Sequence, residues 1–138
     1  MSYVELHCHS NYSFKEGASS LEELLMRAKE LGYPALALTD HDNLCGAMEF
    51  SRIANSVEIQ PITGAEVTLN NGSHLTLVAE TRRGYSNLCN LITYSRMGQS
   101  GGRLDPGLDP VLLADHSEGL VLLTGCSKGE VPNLITEG

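Results

Sequence analysis

Tyr3-Val4-Glu5-Leu6-His7-Cys8-His9-Ser10 passes from a short apolar run directly into two histidines one residue apart. Read as a strand over residues 3–6 that carries its alternation onward, it points His7 and His9 to one face and Cys8 to the other. Two imidazoles on one face at the C-terminal mouth of a strand make a metal chelate, since neutral imidazole is the commonest metal ligand. Strand C-termini are also where α/β proteins place their sites. Two histidines alone hold a metal poorly, so the reading requires further ligands along the chain.

Outward from this stretch, strand and helix patterns alternate. Ser20 and Glu23 form a capping box ahead of Leu21, Leu24, Leu25, Ala28 and Leu31, one apolar helical face stopped by Gly32. Residues 35–39 are an unbroken apolar run, as expected of a parallel strand covered on both sides. A second helix over about residues 46–56 turns Ala47, Phe50, Ile53 and Ala54 to one face. Residues 59–69 and 74–79 flank Asn70-Asn71-Gly72, the chemistry of a hairpin turn. A third helix over residues 84–96 carries Leu88, Leu91 and Ile92 inward, and residues 97–110 read as a mobile loop rich in Gly, Ser, Asp and Pro. Residues 110–114 make a short helix, and residues 119–124 another buried strand. This alternation predicts an α/β fold, layered or closed into a barrel, with its loops at one mouth.

The bulk properties narrow the function classes. A length of 138 residues allows one compact domain and little more. A formal net charge of -8 excludes a broad basic surface for nucleic acid, yet permits work on phosphate through a bound dication. Cys8, Cys45, Cys89 and Cys126 lie far apart with no C-x-x-C pair, which suits reduced intracellular thiols. With no cationic leader and no apolar run of membrane-spanning length, the expectation is a soluble cytoplasmic protein without membrane association.

Groups that bind metals recur just after successive strands. They are His7 and His9, Glu16 in the loop beyond, Asp40-His41-Asp42 after residues 35–39, Glu66, His74, and Cys126 at the end of the last strand. Imidazole, carboxylate and thiolate bind zinc, manganese or iron, and carboxylates bridge two ions in multi-metal hydrolytic sites. Each has a plainer reading. Asp40-His41-Asp42 also suits an Asx turn capping the next helix, Glu66 a solvated strand residue, and Cys126 a small buried apolar group.

The ordered set His7-x-His9-Ser10, Thr39-Asp40-His41-Asp42, Gly64-Ala65-Glu66, His74-Leu75 and Gly125-Cys126-x-Lys128-Gly129 resembles the PHP (polymerase and histidinol phosphatase) family. Glu5 through Phe14, followed by Gly17-Ala18-Ser19, looks most like the N-terminal PHP domains of bacterial DNA polymerase III alpha subunits of the error-prone type. The resemblance implies a distorted (βα) barrel of the PHP/TIM-like type around up to three divalent ions: zinc, manganese, iron or magnesium. It implies His7, His9, Glu16, His41, Glu66, His74 and Cys126 as ligands, with Glu66 bridging. Asp40 would orient His41 or relay a proton. The implied activity is phosphoester hydrolysis by a hydroxide between metals, on a 3′ DNA end, a nucleotide or histidinol phosphate. The rival from another class is an inactive module that binds other polymerase domains or subunits.

Two departures from the family pattern stand out. Its closing Asp-x-His is not reached by residue 138, so the barrel is expected to be incomplete in this single PHP domain. Either a partner chain or a second copy is then expected on the open edge, or the molecule is expected to be only marginally stable. Glu16 also stands where relatives usually carry Asp or His. An amidohydrolase-like reading, which also starts from HxH, requires a metal-bridging lysine on a middle strand, and residues 59–69 and 74–79 contain none.

Overall fold

The computed structural model describes residues 3–97, 106–124, 129 and 135. The fold is mixed α/β with a four-stranded sheet in the order β1-β2-β3-β4. The chain divides into two compact units, Met1–Ala65 and Glu66–Gly138.

In the first unit, α1 (Leu21–Glu30) starts where the sequence pattern places it. Ser20 Oγ accepts from the Glu23 amide at 3.2 Å, and the Glu23 carboxylate accepts from the Ser20 amide at 2.8 Å. Two of the helix's orphan donors are thereby satisfied at once. Gly32, at φ +73°, closes the far end in the left-handed region that favours glycine. Leu21, Leu25 and Ala28 pack with Leu36 and Leu38 of β1 (Ala35–Leu38) and with Phe50, Ile53 and Ala54 of α2 (Ala47–Ser56). Leu31, expected on the same face, is exposed. Replacing Ser20 by alanine is expected to cost about 1 kcal/mol of stability in a urea titration, with metal content unchanged.

The stretch expected to form the first strand is reduced to a single parallel bridge, Glu5 to Leu36. Ala37 donates to the Glu5 carbonyl at 2.9 Å, and Thr39 to the Cys8 carbonyl at 2.9 Å. The reason lies in where the other amides go. The His7 amide donates to the Glu5 carboxylate at 3.1 Å and the Cys8 amide to Thr39 Oγ1 at 2.9 Å. Side chains take donors that a regular ladder would have used.

β2 (Gln60–Thr68) runs parallel to β1, with Ala35 opposite Gln60 and Leu38 opposite Thr63. In the second unit, the Asn70-Asn71-Gly72 turn leads into β3 (His74–Ala79): the Leu69 amide donates to the Ser73 carbonyl at 2.8 Å, and Gly72 takes φ +84°. β4 (Leu120–Leu123) is antiparallel to β3, with Thr76 opposite Leu123. It is not the buried strand expected. Val121 and Leu122, on opposite faces, are 43% and 56% exposed, so among the described residues neither face of β4 is fully covered.

α3 (Arg82–Met97) buries Leu88 and Leu91, whereas Ile92 is only half-buried. Its Gly84 meets Gly119 so closely that a Cβ there would stand 1.8 Å from the Gly119 carbonyl oxygen. α4 spans Val111–Asp115. Within the stretch expected to be mobile loop, residues 98–105 lie outside the described residues, but Leu108 is fully buried. Its amide donates to the Thr68 carbonyl at 2.8 Å and its carbonyl accepts from Asn70 at 3.0 Å. A lone leucine between Pro106-Gly107 and Asp109-Pro110 has no periodicity to announce it. Among the described residues, no helix is long and apolar enough to cross a membrane.

Candidate metal centre

In the first unit, four of the expected ligands, His7, His9, Glu16 and His41, come together. The Glu16 carboxylate oxygen Oε2 lies 2.8 Å from His41 Nδ1 and 3.6 Å from His9 Nδ1. The His9 and His41 rings are 6.3 Å apart, and His7 stands edge-on to His9 at 5.1 Å. His7 and His9 each offer a ring nitrogen within 4.8 Å of the other. Although the strand here is irregular, the alternation holds. Cys8 packs against the apolar core, away from the histidines. Burial, followed by the charges of Glu5 and Asp40, pushes its thiol up to about 11, so Cys8 remains a protonated thiol at neutral pH.

The loop that delivers Glu16 is tied down from within. Asp40, 2% exposed, accepts from the Ser10 amide at 2.7 Å, from Ser10 Oγ at 2.7 Å and from Ser13 Oγ at 2.6 Å. Ser13 Oγ in turn accepts from the His41 amide at 3.0 Å. Asp40 therefore links the first loop to the backbone of His41. The Glu16 and Gly17 amides donate to the Ser13 carbonyl at 3.0 and 2.9 Å. Gly17 is required here, since a Cβ would come within 2.0 Å of the Ser10 carbonyl oxygen.

Asp42, which the sequence offers either as a metal-binding group or as an Asx turn capping the next helix, is a close neighbour of His41. Its buried carboxylate sits 3.0 Å from His41 Nε2, and its backbone takes φ +53°. The one available signal was a carboxylate on each side of His41. The hydrogen bond that the His41 ring donates to Asp42, opposed by burial and supported by Glu16, raises His41 from an ordinary 6.5 to about 9. A cation binding at His41 must displace that proton, so metal uptake releases acid. In the metal-free chain, a folded pKa above the unfolded one contributes stability that is full below about pH 6.5 and lost as pH rises through about 9. Urea midpoints of metal-free protein are expected to fall across that window. Asp42→Asn should flatten the fall; a wild-type slope in that variant would refute the assignment.

In the second unit, Glu66 and His74 form a close pair, Oε1 to Nδ1 at 2.8 Å, with Glu66 3% exposed. Glu66 is thus no solvated strand residue. Cys126 lies outside the described residues. The donors fit a divalent ion: imidazole nitrogens beside carboxylate oxygens suit zinc, iron or manganese better than magnesium, which prefers oxygen alone.

The PHP domain family matches residues 5–138. The chain is 45% identical to an error-prone DNA polymerase of Symbiobacterium thermophilum over 152 aligned residues, covering 100% of this chain and 14% of that protein. It is 40% identical to a DNA polymerase III subunit alpha of Treponema pallidum, covering 100% of this chain and 13% of the relative. The chain thus spans about one seventh of the length of these relatives. Its fold is similar to that of a protein from Bifidobacterium adolescentis described as a metal-dependent phosphoesterase, with TM-score 0.56 and 20% identity over 69% of this chain and 33% of the other. An amidohydrolase from Chromobacterium violaceum, solved with bound sulfate and no metal, gives TM-score 0.57 and 30% identity over 69% and 34%.

Proposed function

This chain belongs to the PHP domain family, and from that premise we propose that it is the metal-dependent phosphoesterase domain of a DNA polymerase III alpha-like, error-prone polymerase. The observation that carries the reading is Glu16 Oε2 standing within 2.8 and 3.6 Å of two imidazole nitrogens on separate segments. We assign His7, His9, Glu16, His41, Glu66, His74 and Cys126 as ligands to as many as three ions, within a distorted barrel. When bound, the ions supply Lewis acidity and neutralise charge on a phosphoryl group. Asp40 acts as a positioning residue, holding the Glu16 loop and the His41 backbone in register through Ser13. Asp42 fixes the His41 ring by its Nε2, which leaves Nδ1 directed at Glu16.

The amidohydrolase-like alternative is disfavoured, since neither β2 nor β3 carries the lysine it needs. An inactive module packed against other polymerase domains has one observation in its favour, the exposed Val121 and Leu122 of β4. Turnover separates the two readings. The chain, supplemented with zinc, manganese, iron or magnesium in turn, is given bis(p-nitrophenyl) phosphate. Nitrophenolate release that a chelator abolishes supports the hydrolase, and bound metal without release supports the module.

A further inference from the structure

Phe14 is 85% exposed, two residues before Glu16. It does not sit on a loose loop. Ser13 before it is 1% exposed and donates to Asp40 at 2.6 Å, and the Glu16 and Gly17 amides fold back onto the Ser13 carbonyl. Lys15 adopts φ +71°, a strained conformation for a residue with a side chain, and its Nζ lies 6.0 Å from the centre of the Phe14 ring. A benzyl group with no polar atom is thus held in water by a fixed backbone, with a cation over its ring and the proposed ligand Glu16 two residues further along the chain. Leaving it exposed forfeits the free energy that burying a benzyl group would return.

Resting on the phosphoesterase reading, we propose that Phe14 is a stacking platform that selects phosphoesters bearing a planar aromatic base, with Lys15 contacting a phosphate oxygen. A nucleotide unit matches this juxtaposition: its phosphate suits a cation and a metal centre, and its base offers a π-face. Phenylalanine offers no hydrogen bond, so the preference is for the presence of a base and not for its identity. Bases within a duplex are already stacked on each other. The ligand is therefore a free nucleotide or the unpaired end of a strand.

The chain contains no tryptophan, so Phe14→Trp introduces a single fluorophore that also preserves an aromatic face. Thymidine monophosphate and a short oligothymidylate are expected to quench it at saturation, with ribose 5-phosphate leaving it unchanged; the stronger of the two nucleotide titrations identifies the source. In wild type, kcat/KM is expected to favour an oligothymidylate over the same strand with an abasic terminal unit. Phe14→Ala and Phe14→Leu should each cut that ratio about tenfold, mainly through KM, and Phe14→Trp should restore it. Equal quenching by ribose 5-phosphate, or a ratio unchanged in Phe14→Ala, overturns the proposal while leaving the hydrolase reading intact. A wild-type chain that binds metal and hydrolyses neither substrate overturns both.

Discussion

Replacing Asp40 by alanine is expected to lower the stability of the chain by about 3–5 kcal/mol and to release the first loop from His41. Asp40 is buried and receives three donors within 2.7 Å, two of them from Ser10 and one from Ser13. Hydrogen bonds to an ionised acceptor are worth more than neutral ones, and a buried amide left without its partner costs about 1–3 kcal/mol. Removing the charge returns some desolvation free energy, but the Ser10 amide cannot rotate to another acceptor as a hydroxyl can. Asp40→Asn keeps the shape and one acceptor, so it should lose about half as much. Urea denaturation of the metal-free variants measures both. An alanine variant within about 1 kcal/mol of wild type would show that the three bonds do not hold the loop.

Replacing Glu16 by alanine is expected to weaken binding of zinc or manganese by on the order of 10²-fold or more, with little loss of stability. The residue is exposed, and its Oε2 is the atom shared between the His9 and His41 nitrogens. His9→Ala should act similarly, because either change removes a donor from the same group. Glu16→Asp shortens the arm by one methylene and should fall between wild type and alanine. Competitive titration against a metallochromic chelator reads all of these. The pattern separates the two predictions: Asp40→Ala loses stability and metal together, whereas Glu16→Ala loses metal alone. Equal metal affinity in wild type and Glu16→Ala would remove Glu16 from the site.

Local signals made most of the fold legible. The Ser20–Glu23 capping box and the 3.6-residue apolar spacing place α1, and Ala47, Phe50, Ile53 and Ala54 are all buried as their spacing requires. The turn Asn70-Asn71-Gly72 fixes the start of β3 to the residue. What failed was decided by distant neighbours. Residues 3–6 look like a strand, but the Glu5 carboxylate and Thr39 hydroxyl capture the amides that follow. Leu120–Leu123 look buried because they are continuously apolar, yet the described residues leave Val121 and Leu122, on opposite faces, partly uncovered.

The candidate site was legible as a set of residue types at strand ends, and much less as a network. Glu16 lies in a polar loop, where exposure is the default reading, and it stands beside two of the histidines. The roles of Asp42, Ser10 and Ser13 depend on which atoms meet across about 30 residues of sequence, as in the Ser10–Asp40 and Ser13–Asp40 bonds, and no local pattern records that.

The central claim is that these imidazoles and carboxylates hold a divalent metal, and elemental analysis of the chain purified without chelator tests it most directly. At least one equivalent of zinc, manganese or iron per chain is expected, surviving dialysis in wild type and lost in Glu16→Ala and His9→Ala. A folded wild-type chain that carries no metal, even after supplementation with each ion in turn, would contradict the account.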